Sequence, residues 1–497
     1  MSQIYQAEKR QFLDENSYQH IVTDELGKGG QGIVYRTLDE GFALKLSLEQ
    51  GEQLTKPNLI QHKIEQIKAI QLLPLHHINI ALPLVVLQDQ AGYVMSLVAD
   101  MKPFARFIYQ EQSLVDLNQI ERPSWIDPQW PESVKNEVVF FSRSGGLKRR
   151  LMALYRCALI LNQLHTRGLV YGDINPNNEF ISESDDYDEV WLIDADNIRF
   201  DQTSNRKPIY FPDYGAPELV IYQYANSINS DLYSFAILAH MMLALRHPFK
   251  GKAFYEESGD DDWDSEDKNK FTAQQKLERG LLSWIYDPQD LSNLQQNPLA
   301  TLITEDKNLF PLFQQCFGVG RKDTTQRPTM QHWATALIKT HDQLLTCPVC
   351  KFGFSPIEHQ KCPDCIAEKP AYFQIESYFL NQEQQTKTLA WSTILEIKNK
   401  KNVLILQRVL GLNTCIQGTK PLFSVAMNDQ RCVLQQEVDS YEVSYIEQKN
   451  DVLNLIKMNY RFEISTERLN QELYFLVEPK DQRYSACILK ILKSGIV

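Results

Sequence analysis

No apolar run in this 497-residue chain approaches the ~18–20 residues needed to cross a bilayer. The best stretch, Phe235–Leu245, is too short and contains His240. The opening MSQIYQAEKRQF has no apolar core of the kind a secretory leader needs, so the protein is expected to stay in the cytoplasm. Positive charge is not in excess: 51 Lys and Arg stand against 63 Asp and Glu, a net charge of −12. That balance argues against wrapping nucleic acid by bulk charge. No self-similarity occurs at solenoid periods. With 43% hydrophobic and 23% charged residues, wholesale disorder is excluded. Nine cysteines is an odd number, and four of them form two Cys-x-x-Cys pairs, which fits one metal site in a reducing compartment better than a disulfide framework. The length suggests about three domains at ~100–200 residues each.

Three compositional regions follow. Residues 1 to about 100 contain short β-like runs, Gly32–Leu38 and Phe42–Leu48, and a helical stretch near Leu59–Leu73. From about 100 to 340 helical periodicity dominates: Leu151, Leu154, Ala158, Leu161 and Leu164 place one apolar stripe on a helix. Asp231–Leu245 reads as a second, more fully buried helix. In Glu256–Asp267 eight of twelve residues are acidic, which predicts a solvated loop. Beyond Pro370 the pattern alternates, with Tyr441, Val443 and Tyr445 on one face and strand-like runs at Val403–Leu410, Leu473–Val477 and Ala486–Leu492. This tail predicts an all-β sandwich or barrel.

The first chemical signal is Gly27-Lys28-Gly29-Gly30-Gln31-Gly32, which runs through Val34 into a β-branched and aromatic strand. A dinucleotide fingerprint would open a helix instead. Glycines at a hairpin tip let backbone N–H groups approach phosphates, although the same glycines also make a plain turn. Thirteen residues past Gly32, Lys45 lies in the apolar run FALKLSL, where a lysine is costly unless an anion meets it. Glu65 is its best carboxylate partner, with Glu49 and Glu52 as weaker candidates.

These residues together resemble the N-terminal lobe of the protein kinase superfamily, and the motifs that resemblance implies are present. His165-Thr-Arg-Gly-Leu-Val-Tyr-Gly172-Asp173-Ile-Asn175-Pro-Asn-Asn178 is similar to the catalytic loop. Trp191-Leu-Ile-Asp194-Ala195-Asp196 ends a strand where the metal-binding aspartate belongs, with Ala195 and Asp196 replacing the usual Phe-Gly. Ala216-Pro217-Glu218, Asp231 and Arg327 resemble structural landmarks, Arg327 ion-pairing with Glu218 and Asp231 bracing the catalytic loop. The resemblance implies that Lys45 and the Gly27–Gly32 loop hold ATP phosphates, that Glu65 orients Lys45, that Asn178 and Asp194 hold Mg²⁺, and that Asp173 positions the acceptor hydroxyl. Val34, Ala43, Met95, Ser96 and Val98 complete the expected nucleotide site, Met95 as gatekeeper and Ser96–Val98 as hinge.

Departures from the family pattern are specific. Gly172 replaces the arginine that commonly precedes the catalytic aspartate, so no phosphate should be needed to order the segment Asp194–Glu218. Asn175 and Phe211 replace a lysine and a threonine that interact in serine/threonine kinases, a paired loss that leaves no lone buried charge. The loop GDINPNN is similar to a group of bacterial eukaryotic-like serine/threonine kinases, which makes a PP2C-type phosphatase and a von Willebrand A-domain protein plausible partners. The implied function is ATP- and Mg²⁺-dependent transfer to Ser/Thr hydroxyls of a protein in a bacterial signalling system. The alternative is a catalytically weak nucleotide-binding scaffold that organises partners.

Cys347-Pro-Val-Cys350 and Cys362-Pro-Asp-Cys365, eleven residues apart, present four thiolates suited to a structural Zn²⁺. His359 between them reads as a surface residue, and few basic residues surround the module, so nucleic acid is an unlikely partner. The expected organisation is α+β: a bilobal kinase-like fold (N-lobe 1–98, C-lobe 99–342), a zinc ribbon (343–370) and an all-β interaction domain (371–497). The remaining cysteines, Cys157, Cys316, Cys415, Cys432 and Cys487, read as core, and Lys398, Lys400 and Lys401 as a solvated turn.

Overall fold

The structure is a computed structural model, described here for residues 10–49, 51–109, 122, 126–184, 187–201, 207–259, 271–381, 386–397, 402–411, 420–427, 431–449, 452–481 and 486–494. It is an α+β chain that forms two compact units. One comprises residues 1–108, 156–296 and 311–331; the other comprises 109–155, 297–310 and 332–497.

In the first unit a seven-stranded antiparallel sheet is made of β1 (Gln11–Leu13), β2 (Gln19–Lys28), β3 (Gly32–Thr37), β4 (Phe42–Glu49), β5 (Glu52–Gln53), β6 (Pro83–Val86) and β7 (Gly92–Ser96). The order is β1-β2-β3-β4-β7-β6, with β5 pairing β4. The central strand β4 is buried from Ala43 to Ser47. Alternation splits its side chains between two cores. Leu44 and Leu46 join Val22, Tyr35, Leu87 and Val94, while Ala43 joins Ile64, Ile67, Tyr93 and Met95. The helix α1 (Pro57–Gln71) starts on Pro57, where a missing N–H costs nothing, and buries Ile64, Ile67 and Ile70.

The helix Gly146–His165 buries the predicted stripe completely, with Leu151, Leu154, Ala158, Leu161 and Leu164 all at 0% exposure. The central helix runs Ile228–Ala244, three residues earlier than expected at its start. Ser227 sets that start through a capping box: its side chain accepts from the Ser230 N–H, and Ser230 returns the bond to the Ser227 N–H. The acidic stretch begins in a helix, Lys252–Gly259, where a loop was expected. Lys252 lies 3.8 Å from Glu256 and Lys276 2.8 Å from Glu257, which offsets the repulsion between neighbouring carboxylates. Residues 260–270 of that stretch lie outside the described residues.

Besides the short antiparallel pair Leu345–Thr346 and Gly353–Phe354, the second unit carries an antiparallel sheet of six strands and one of four. Phe423 and Phe462 from the four-stranded sheet meet Phe475 and Tyr445 from the six-stranded one, at ring separations of 4.6–6.3 Å. Tyr441, Val443 and Tyr445 are buried together on their strand, as alternation predicts. The run Val403–Leu410 is strand only to Leu406; Gln407–Leu410 is a 3₁₀ turn ending on Gly411 at φ +71°. That turn brings Arg408 onto Asp342, with bonds of 2.8 and 3.0 Å, while the Trp391 indole donates to the same carboxylate at 3.0 Å. Cys157, Cys316, Cys432 and Cys487 are buried. Cys415, Lys398, Lys400 and Lys401 lie outside the described residues. No described helix is long and apolar enough to cross a membrane.

Candidate active site and four-cysteine centre

Beneath the loop His165–Asn178, the Asp231 carboxylate accepts from the Tyr171 N–H at 2.8 Å and the Gly172 N–H at 2.9 Å, and meets the His165 ring at 3.1 Å. Gly172 sits at φ +84°, a left-handed conformation that disfavours an arginine there. Its carbonyl accepts from the Asn226 amide at 2.9 Å, and the Asn226 side-chain oxygen accepts from the Ile209 N–H at 2.9 Å. Asn226 therefore ties the segment around Ile209 to the loop, and the Arg199 guanidinium donates to its backbone and side-chain oxygens at 3.3 and 3.4 Å. No sequence signal had singled out Asn226. Arg327 forks onto Glu218 at 2.7 and 2.8 Å, the expected pair.

Asp173 is clamped by two amides. Asn175 donates to its carbonyl and carboxylate at 3.1 Å each, and Asn178 does the same at 3.0 Å each. The Asn175 amide, which stands where the family pattern has a lysine, is committed here to Asp173. Burial first, and then the nearby Asp194 charge, push the Asp173 carboxyl up to about 6, against the two amide bonds that lower it. The Ile193 N–H donates to the Asn178 carbonyl at 3.0 Å, which sets Asn178 next to the chain that delivers Asp194. Phe211 packs edge-on against Tyr214 at 5.8 Å.

Lys45 reaches this group from the sheet. Its Nζ lies 2.9 Å from Asp194 and 3.0 Å from Asp196. Burial would lower its pKa, but the two carboxylates hold it well above the ordinary lysine range, so it stays charged. Glu65 is not among its partners, a correction to the expected pairing. Ile64, Ile67 and Ile70 face the core, which turns Glu65 outward, where it accepts from Gln61 at 3.0 Å. Glu49 and Glu52 form no ion pair with Lys45 among the described residues. The residue of α1 that does face this group is a cation: Lys63 lies 3.7 Å from Asp196.

Above Lys45 the hairpin of β2 and β3 closes with the Gly29 N–H donating to the Gly32 carbonyl at 2.9 Å. Gly27, Gly29 and Gly30 face open space, and Lys28 is exposed. Gly32 is different: a Cβ there would lie 2.7 Å from the Lys45 side chain. Met95 and Ala43 are cross-strand partners, and Val34, Leu97 and Val98 pack against their cluster; Ser96 is exposed at the strand end. The expected apolar contacts thus converge on one wall beside Lys45.

The four cysteine sulfurs lie within 4.8 Å of one another, with Cys347–Cys365 and Cys350–Cys362 both at 3.6 Å. A tetrahedral Zn²⁺ with Zn–S of about 2.3 Å needs S···S of about 3.8 Å, so the donor set fits. The two knuckles repeat one backbone pattern. Lys351 and Ile366, each following the second cysteine, take φ of +66° and +61° and donate to the carbonyls of Cys347 and Cys362. His359 is exposed and outside the cluster. The module is anchored on helical residues of its own unit: Ser142 and Arg143 reach Asp364 at 3.1 and 3.3 Å, and Lys148 donates to the Leu344 carbonyl at 2.9 Å.

Residues 136–336 match the protein kinase domain family. The matched segment, about two fifths of the chain, is similar to a protein kinase domain. Serine/threonine-protein kinase pkn2 of Myxococcus xanthus is 33% identical over 110 residues, 21% of this chain and 13% of that protein. Serine/threonine-protein kinase D2 of Homo sapiens is 26% identical over 117 residues, 23% of this chain and 13% of that protein. The chain therefore spans about an eighth of the length of these curated relatives. The kinase-domain match begins after the Gly27–Gly32 hairpin and Lys45, so the sheet residues rest on their own geometry.

Proposed function

We propose that the chain is an ATP- and Mg²⁺-dependent protein kinase that transfers the γ-phosphoryl group to Ser/Thr hydroxyls. The observation that carries this reading is the convergence of Lys45, Asp194, Asp173 and Asn178 through contacts of 2.9–3.0 Å across three separate chain segments. Lys45 and the hairpin would neutralise phosphate, and Asn178 with Asp194 offers the hard oxygen donors Mg²⁺ prefers. Asp173, half ionised near pH 6, is charged at neutral pH and would accept the hydrogen bond of the incoming hydroxyl. The bound metal and nucleotide would supply the reacting phosphoryl group; the protein's part is positioning and charge.

The four cysteines would hold a structural zinc, since no open coordination position remains for chemistry. The division into an N-lobe (1–98), C-lobe (99–342), ribbon (343–370) and β-domain (371–497) belongs to this reading. So do a cytoplasmic bacterial signalling setting and partnership with a PP2C-type phosphatase and a von Willebrand A-domain protein. A scaffold reading draws on one observation, the commitment of the Asn175 amide to Asp173 instead of a phosphate. The two separate on transfer of label from γ-labelled ATP to a general protein acceptor. The kinase reading expects transfer by the wild type and loss of at least a hundredfold in Asp173→Ala, with MgATP binding retained. MgATP binding without transfer by the wild type would favour the scaffold.

A further inference from the structure

Resting on the functional reading above, we propose that Asp196 is the residue that positions Lys45, a task the sequence alone assigns to a carboxylate of helix α1. Three strands of geometry meet at this side chain, which is only 1% exposed. The Lys45 Nζ lies 3.0 Å from it, the Tyr93 hydroxyl donates to it at 2.9 Å, and Lys63 of α1 lies 3.7 Å away. The register of the sheet makes Tyr93 and Lys45 directly opposed partners on β7 and β4, so both approach Asp196 from one face.

The turn that presents Asp196 is itself fixed, because its N–H donates to the Asp194 carboxylate at 3.1 Å. Two carboxylates therefore converge on Lys45, and Lys63 restores the balance at two cations against two anions. When Asp194 is committed to a metal ion, Asp196 is the carboxylate that still holds Lys45 in place. The link to α1 survives with its polarity reversed: the helix contributes Lys63 to the anion instead of an anion to Lys45. Glu65, exposed and bonded to Gln61, is left without this role.

The test compares MgATP affinity, read by titration of a fluorescent ATP analogue with Mg²⁺, and label transfer in single and double variants. Asp196→Asn should weaken affinity or transfer about tenfold, and Lys45→Met with Asp196→Asn should be no worse than Lys45→Met alone. Glu65→Gln should stay within twofold of wild type. Lys63→Glu should cost more than Lys63→Met, because only the former adds a third anion. A loss in Glu65→Gln as large as in Asp196→Asn, or additive losses in the double variant, would overturn the proposal. Thermal melting checks that each variant folds. If Asp196→Asn does not fold, Tyr93→Phe and Lys63→Met, each removing one contact, should still lower affinity two- to fivefold, and wild-type affinity in both would overturn the proposal. Nucleotide affinity also separates the two readings: absent transfer by the wild type would remove the kinase reading, while the Lys45–Asp196 coupling would still be decided by binding.

Discussion

The loop that carries Asp173 and the β4 lysine are both buried and both charged, yet they are held by different means. The loop is fixed by dipoles: Asp231 accepts from backbone N–H groups, and Asp173 accepts from two asparagine amides. Lys45 is fixed by full charges, Asp194 and Asp196, with Lys63 as a second cation. Dipole-held groups demand one local geometry, since an N–H must point along a narrow cone. A charge accepts any opposite charge within a few ångströms, so its partner can come from a helix or from a loop. The floor of the site is therefore tied to particular residues, and its wall is open to exchange.

With a metal bound, the four-cysteine centre would be the limiting case of charge holding, four thiolates around one cation. Metal removal should have the largest effect. One zinc per chain is expected by elemental analysis, and a strong chelator should unfold the cluster of Leu345, Phe354, Tyr372 and Ile394 around it. Near-UV circular dichroism would follow that loss, and Cys350→Ser should reproduce it without chelator. Retained dichroism in metal-free protein would remove the zinc from the account.

Next is Arg327→Met, which leaves Glu218 without its partner in a site where the arginine side chain is fully buried. Breaking such a pair should cost about 3–5 kcal/mol in denaturant unfolding. Asp231→Ala tests the dipole side. It strands the N–H groups of Tyr171 and Gly172, at about 1–3 kcal/mol for each buried donor left unmade. If Asp231→Ala proved milder than a surface substitution, the contrast between the two ways of holding would lose its footing.

The smallest effect is a pH slope. Burial pushes His240 down to about 3 and His247 down to about 4, against the backbone carbonyls that accept from them. Both rings are neutral in the folded chain, while the unfolded chain takes up protons below about 6.5. Their contribution is therefore complete above pH 6.5 and is lost as pH falls toward 4. His240→Phe, in a site already lined by Trp284, Phe313 and Phe317, should flatten that slope by about one proton. An unchanged slope would mean that His240 is not buried as described.

This division also explains what was legible in the sequence. Asp231, Glu218 and Arg327 could be placed because each belongs to a short motif whose geometry is closed locally or by one long-range fork. Strands β3 and β4 were legible as short β-like runs, and the stripe on Gly146–His165 followed from period alone. The partner of Lys45 did not, because Glu65 and Lys63 differ by two positions on one helix and only the inward face of Ile64, Ile67 and Ile70 decides between them. Asp196 was visible as an acidic residue in an unusual place, but nothing in one dimension showed that Tyr93 and Lys63 would meet it. Asn226 carried no signal at all: a single asparagine before a helix reads as a turn residue until the Gly172 and Ile209 backbones are seen on either side.

The central claim is that these residues assemble a working phosphotransferase. Intact-mass analysis after incubation with ATP and Mg²⁺, beside Asp173→Ala and Asp194→Ala, tests it most directly. The account predicts added phosphate on Ser or Thr side chains of the wild type and none on either variant. Phosphate on all three proteins alike, or on none while a protein acceptor also stays unlabelled, would contradict it.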